Sequence, residues 1–386
     1  MTSEDVPLKH FTGLLKEQIV GGFFTMRGFM SSLWAGNHSL SIFLGLLVVV
    51  TLISGCVTIA RHAERESLPL FDAHTHLNHD MTAEMLIKWM DQAGVRKMVL
   101  MPRYYSGDGK ATDEQAVEYV RRYPERFIAF IAGQRDGLLR PSAWTTEDAT
   151  DIRGEKGQRL LISGHRFLAE AESKLRSGQY SGLGEFIMLH YGYNSLVPTT
   201  DQRFSGEVEL PVDTPLMFKI VDLAARYNMP VVIHAEAESQ TVQQMRRLLN
   251  RSPDTKIIWE HNCGRGPAAQ IADFLKAYQN LICGLGQMAV PLTNPYGYGT
   301  GWPAGRSKHI TVVQYNDGRI NPKMRALFEA FPDRFIIGTD IAHPFQYSRY
   351  GDMIDAFRRL LSQLKPETAR KIGYENAERL FIRTHK

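Results

Sequence analysis

The chain has 386 residues, with 45 Lys and Arg against 41 Asp and Glu for a formal charge of +4. A surplus that small does not mark a nucleic-acid binder unless it is clustered in a patch. No repeat or low-complexity tract appears, and only three cysteines are present.

The first notable segment is apolar. Leu40–Ser54 is a continuous hydrophobic stretch, followed by Ile53-Ser54-Gly55-Cys56. An apolar run ending in Leu/Ile-small-Gly-Cys resembles a bacterial lipoprotein signal, in which the Cys is lipidated and becomes the first residue. The preceding region is long for a leader, and a start at Met26 or Met30 would give an ordinary length, with Arg27 ahead of the apolar run. The alternative is an uncleaved transmembrane anchor, since the run extends toward 20 residues. Read as a lipoprotein, residues 1–55 are signal, residues 56–67 a short tether, and residues 68–386 the functional domain. Such a protein is expected in the cell envelope, lipid-anchored at Cys56 on the periplasmic or extracellular side. Val57, rather than Asp, favours outer-membrane sorting. Residues 1–55 carry three basic and three acidic groups, so the remainder keeps the charge of +4.

From Leu68 onward strands and helices alternate. Apolar or β-branched runs occur at Leu68–Ala73, Lys97–Met101, Phe127–Ala132, Leu183–Met188, Pro230–His234, Lys256–Glu260, Leu281–Gly284 and Arg334–Gly338. Helical patterns fill most intervals: Ala83–Ala93, Asp113–Tyr123, Arg166–Arg176, Thr214–Tyr227, Ser239–Asn250, Ala268–Gln279, Pro322–Phe331 and Asp352–Leu364. Alternation of this kind predicts βαβ units on a parallel sheet. Eight units make an α/β chain of (β/α)8 TIM-barrel size, with a doubly wound open sheet as the alternative.

Polar residues stand at the ends of these runs. In Phe71-Asp72-Ala73-His74-Thr75-His76, residues two apart share a strand face, so Asp72, His74 and His76 line up. Two imidazoles side by side are the start of a metal site. Glu185 follows Gly182-Leu183-Gly184; His234 ends Val231-Val232-Ile233; Glu260-His261 end Ile257-Ile258-Trp259; Asp340 follows Phe335–Thr339. In a barrel all strand C-termini face one mouth, where active sites are built. His74, His76, Glu185, His234, His261 and Asp340 would converge there. A Gly284-x-Gly286-x-x-Ala289 match to the dinucleotide fingerprint is weak, because Pro291 and Pro295 stand where a helix should begin.

The stretches FDAHTHL (71–77), MPVVIHAE (229–236), IIWEHNCG (257–264), RFIIGTDIAHP (334–344) and ARKIGYENAERLF (369–381) resemble the amidohydrolase superfamily, within it the amidohydrolase-related branch. The resemblance implies His74, His76, His234 and Asp340 as metal ligands, zinc suiting them best, with manganese or iron possible. It implies Asp340 as the proton shuttle and His261 as a second-metal ligand or a polariser of the scissile carbonyl. Asp72 is read as supporting the ligands or capping the first turn. Many superfamily members carry a carboxylated lysine after strand four; here Lys174 and Lys219 are the nearest lysines and neither is at that strand end. The Gly-Leu-Gly-Glu segment instead resembles the glutamate-bearing strand of TatD-type hydrolases, which use two metals, so Glu185 would bridge two ions, or act as a general base or substrate contact beside one.

A small-molecule substrate is expected. Arg103, Tyr104 and Tyr105 follow strand two, His190, Tyr191 and Tyr193 follow strand four, and NPYGYGTGWPAG (294–305), a candidate lid, follows strand seven. Arg103, His190 and His343 are the candidate substrate contacts, and Arg306 with Arg103 could grip an anion. Three functions differ in class: a metal-dependent hydrolase of C–N or C–O bonds, a non-oxidative decarboxylase using one metal, and a non-catalytic envelope lipoprotein. With Cys56 lipidated, Cys263 and Cys283 remain on neighbouring predicted strands; the expectation is two buried thiols, with a disulfide only in an oxidising compartment.

Overall fold

The structure, a computed structural model, describes residues 68–103, 111–135, 138, 144, 164–190, 208–289, 312–315, 317–342 and 344–382. They belong to a compact unit spanning Leu68–Lys386. Cys56, His343, Arg306, Tyr104, Tyr105, Tyr191, Tyr193 and residues 294–305 lie outside the described residues. Among the described residues no helix is long and apolar enough to cross a membrane.

The strands are β1 (Leu70–Asp72), β2 (His76–Leu77), β3 (Val95–Pro102), β4 (Phe127–Ala129), β5 (Leu183–His190), β6 (Val208–Glu209), β7 (Val231–Ala235), β8 (Ile257–Trp259), β9 (Leu281–Gly284) and β10 (Phe335–Ile336). β3 pairs in parallel with β1 along its first half, with β2 along its second and with β4 on its other side. β1 and β2 are therefore two pieces of one strand position. The second sheet runs β10-β9-β8-β7-β5-β6, parallel except for β6. The two sheets meet at two seams: parallel bridges join Ile131 to Leu183 and Thr75 to Ile341. Hydrogen bonds from Ala73 N to Ile337 O (3.0 Å) and from Asp340 N to His74 O (2.8 Å) extend the second seam. The result is an α/β fold in which the described ladders do not form one continuous closed sheet.

Helices follow the strands for local reasons. α1 (Ala83–Ala93) starts where the Thr82 hydroxyl accepts from Met85 N at 3.2 Å, and stops at Gly94, whose φ of 67° is left-handed. Thr112 caps α2 (Asp113–Arg122) and Thr214, followed by Pro215, caps α4 (Pro215–Arg226). α3 (Gly164–Arg176), α5 (Ser239–Arg251), α6 (Ala268–Ala277), α7 (Pro322–Ala330) and α8 (Tyr350–Leu361) complete the set used below.

Strand alternation divides the core in two. One cluster takes Phe71 and Ala73, Val99 and Met101, Phe130, Val232, Ile258, Ile282 and Ile336, with Tyr374, Ala377 and Phe381 from the C-terminal helix packed beneath. It draws at least one residue from most strand positions. The intervening residues, Leu70, Met98, Leu100, Val231, Ile233, Ile257 and Leu281, face the helices in the larger cluster.

The cysteine expectation is corrected. Cys263 and Cys283 form a disulfide, with Cα atoms 4.9 Å apart. Trp259 of β8 is in register with Cys283 of β9. The chain then turns through a left-handed run at His261, Asn262 and Cys263 that brings Cys263 back over its partner.

Candidate metal centre

The two sheets place the strand ends together, and the donor atoms resolve into two groups that share one carboxylate. His74, His76 and Glu185 form the first; Glu185, His234 and His261 form the second, the ligand atoms of each lying within 4.8 Å of one another. His74 Nε2 is 3.1 Å from His76 Nε2. Asp340 Oδ1 joins them at 3.4 and 3.0 Å. His261 Nε2 is 2.8 Å from His234 Nδ1. Thus His234 meets His261 and Glu185 directly, while His74, His76 and Asp340 gather on the other side of Glu185.

Glu185 Oε1 is the central atom. It is buried and has no in-line hydrogen-bond partner, yet His234 Nδ1 (3.3 Å), His74 Nε2 (3.7 Å) and His261 Nε2 (3.7 Å) surround it. Native proteins rarely leave a buried carboxylate oxygen orphaned. A divalent cation on either side would satisfy both the oxygen and the facing nitrogens, so this donor set fits such an ion. Its other oxygen, Oε2, accepts from Gln134 Nε2 at 2.8 Å.

The second atoms of the rings are held. His261 Nδ1 lies 3.0 Å from Gly286 O, so it is the donor and Nε2 carries the lone pair. His234 Nε2 is 3.3 Å from Glu236 Oε1, which also pairs with Arg265. His74 Nδ1 lies 3.0 Å from Glu260 Oε1, off the in-line direction, so the contact is chiefly one of charge. Such partners fix tautomer and ring orientation.

Asp72 stands behind the ligand candidates, its Oδ1 accepting from the backbone N of His74 at 3.4 Å. It accepts from Thr339 N (2.9 Å) and Thr339 Oγ1 (2.7 Å), tying β1 to the residue before Asp340. Burial raises its pKa, against the pull of those hydrogen bonds. The backbone is strained here: His261, Asn262, Cys263, Arg265, Gln287 and Asp340 all have left-handed φ values. Conformations of this kind persist only when surrounding structure enforces them, and they gather at functional sites.

The electrostatics are set by burial and by the carboxylates. Burial opposes charge on His234, but Glu185 and Glu236 outweigh it and raise its pKa to about 9. His74 is raised well above its usual range, burial being overcome by Glu260, Glu185 and Asp340. His261 is lowered, by burial first and then by Arg265 and His234. Glu185 and Asp340 are held low despite burial, chiefly by His74. The carboxylates thus favour positive charge at His74 and His234, and a divalent cation would serve the same balance.

Of the substrate candidates, His190 sits with its ring 4.9 Å from that of His234. Arg103 donates to Ala342 O at 2.6 Å and to Asn78 Oδ1 at 3.4 Å, placing it where β2 meets the segment after Asp340. Lys174 is engaged elsewhere, donating to Asp113 at 2.7 Å. The sequence reading missed Gln134, Glu236 with Arg265, and the part of Glu260. Glu236 and Glu260 each stand at a strand end beside a candidate ligand histidine, which is the one available signal; Gln134 carries none beyond its position after β4.

A family profile described as amidohydrolase matches residues 71–383. Comparison with the curated proteins gives no match. Among solved structures, an uncharacterized TIM-barrel protein from Bordetella bronchiseptica is similar with 14% identity and a TM-score of 0.51, covering 81% of this chain and 98% of its own. A dihydroxybenzoic acid decarboxylase from Polaromonas sp. JS666 with bound manganese has 14% identity and a TM-score of 0.48, covering 81% and 97%. An amidohydrolase from Burkholderia multivorans with bound zinc has 14% identity and a TM-score of 0.46, covering 81% and 98%. At 14% identity the first of these shows a shared fold alone.

Proposed function

We propose, since the chain belongs to the amidohydrolase family, that it is a metal-dependent hydrolase that directs water onto a C–N or C–O bond, an amide, lactone or ester, of a small molecule. The observation that carries the reading is Glu185, one carboxylate shared by two groups of donors. His74, His76 and Asp340 would hold one ion and His234 and His261 a second, with Glu185 between them. Divalent ions in such a site, zinc best matching imidazole and carboxylate donors, supply Lewis acidity and a nucleophile at neutral pH.

The chain's own groups do the rest. Asp340 has the most exposed side chain of the donor set, at 12% against 1–6% for the four histidines and Glu185. It therefore sits at the solvent-facing side of the cluster, where it takes the proton from the attacking water and passes it to the leaving group. His261, its Nδ1 held by Gly286 O, keeps its Nε2 lone pair for the second ion. His190 and Arg103 line the approach and hold the substrate.

The same reading takes the two sheets as one (β/α)8 barrel, supported by the two seams and the enclosed inner cluster. It also takes the protein as lipid-anchored at Cys56 in the cell envelope, supported by the Cys263–Cys283 disulfide, which belongs to an oxidising compartment. The test is a substrate panel of lactones, esters, amides and carboxylic acids, assayed after chelation and again after adding zinc or manganese. Metal-restored hydrolysis is expected. Metal-restored release of carbon dioxide from carboxylic acids, with no hydrolysis, would overturn the hydrolase in favour of the decarboxylase.

A further inference from the structure

The segment Gly284-Leu285-Gly286 lies at the end of β9, beside the end of β8 where Glu260 and His261 stand. A Cβ on Gly284 would collide with the carboxylate of Glu260, and one on Gly286 would come within 3.0 Å of Glu260 Oε2. Gly286 N lies 3.3 Å from the same oxygen and donates to it, while Gly286 O accepts from His261 Nδ1. The two glycines thus form a slot for one buried carboxylate, and the slot explains the glycine spacing better than a dinucleotide fingerprint does. Across the slot Glu260 Oε1 reaches His74 Nδ1 at 3.0 Å. On its other side His74 is backed by Gly338, where a Cβ would strike the His74 Cβ.

We propose that Glu260 is a positioning residue for the donor set: seated between Gly284 and Gly286, it holds the proton of His74 on Nδ1 and turns Nε2 toward His76, Glu185 and Asp340. A negative oxygen against Nδ1 favours the tautomer with hydrogen there, which leaves the Nε2 lone pair for a cation. Glu236 serves His234 in the same way from the other side of Glu185. The inference rests on the metal reading above and adds a division of labour: Glu260 acts directly on the His74 group and meets the His234 group only through Gly286, whose O holds His261.

The experiment is a stepwise calorimetric titration of chelator-stripped full-length protein with Zn(II), repeated with Co(II) to record its absorption spectrum. It compares wild type with Glu260→Gln, which keeps the volume and loses the charge, and with Gly284→Ala, which keeps the charge and fills the slot. In both variants one of the two ions is expected to bind about 10–100-fold more weakly, the other within about threefold of wild type. The Co(II) spectrum should change for the weakened ion alone, and Glu260→Asp should recover part of the affinity. Equal weakening of both ions together with a lower melting temperature of the stripped protein would make Glu260 a packing residue and overturn the proposal. Failure of both variants to fold would do the same, as would unchanged affinity at both sites. Wild type that takes up no ion would overturn the metal reading itself.

Discussion

Replacing Arg265 with Met isolates the charge balance behind His234. Arg265 and Glu236 are both buried and paired, and Glu236 Oε1 also lies 3.3 Å from His234 Nε2. Burial pushes the Glu236 carboxyl up, but Arg265 and then His234 outweigh it and hold it at about 2, below its ordinary 4.5. At about 1.4 kcal/mol per pH unit this lowering is worth roughly 3 kcal/mol of preference for the ionised form. Arg265→Met strands that charge, and breaking one partner of a buried pair costs about 3–5 kcal/mol. Glu236→Gln removes the charge together with its need for a partner, so the double variant should lose less than the sum of the singles by about 1–3 kcal/mol. A group with a lowered folded pKa contributes stability above its unfolded value and loses it as pH falls through the folded one. Wild type should therefore lose this contribution between about pH 4.5 and pH 2, and Glu236→Gln should lack that part of the acid limb. Urea unfolding at several pH values reads all of this. An Arg265→Met loss below about 1 kcal/mol, or strictly additive singles, would refute the reasoning.

Asp340→Asn keeps the shape of the mouth but removes a proton acceptor, so turnover should fall at least about a hundredfold; near-normal turnover would reject Asp340 as the shuttle. Reducing Cys263–Cys283, or replacing both residues with Ser, opens a loop with a sequence separation of 20. By the loop-closure argument this should lower stability by about 3 kcal/mol, and a melting temperature indifferent to reductant would contradict the bridge. Cys56→Ser should abolish incorporation of labelled fatty acid and remove the chain from the lipid-modified fraction. Wild type that is unlabelled yet stays with membranes would favour the transmembrane anchor.

Much of the fold is written in local periodicity. Phe71 and Ala73, or Val99 and Met101, alternate with outward-facing neighbours, and that period of two survives in the structure as two separate core clusters. Thr112 before α2, Thr214 with Pro215 at α4, and Asn321 with Pro322 at α7 mark helix starts for equally local reasons. The donor residues are legible because a buried strand has no use for a terminal His, Glu or Asp. Their partition is not. His234 faces His261 rather than His76 because the left-handed backbone at His261–Cys263 turns that ring inward, and no local sequence pattern encodes that turn. The supporting groups are hidden for the same reason. Gln134, Glu236 and Glu260 acquire their parts only through which ring they face across a strand boundary, and Glu260 only through the absence of side chains on two glycines of the next strand. The disulfide depends on β8–β9 register, which the separation of Cys263 from Cys283 does not reveal.

The shared carboxylate is the centre of the account, and metal content tests it most directly. Elemental analysis of purified full-length wild type, reconstituted with zinc and freed of excess, should find two ions per chain, falling in Glu185→Ala as both donor groups lose their common oxygen ligand. One ion per chain in the wild type, or none, or two retained in Glu185→Ala, would contradict it.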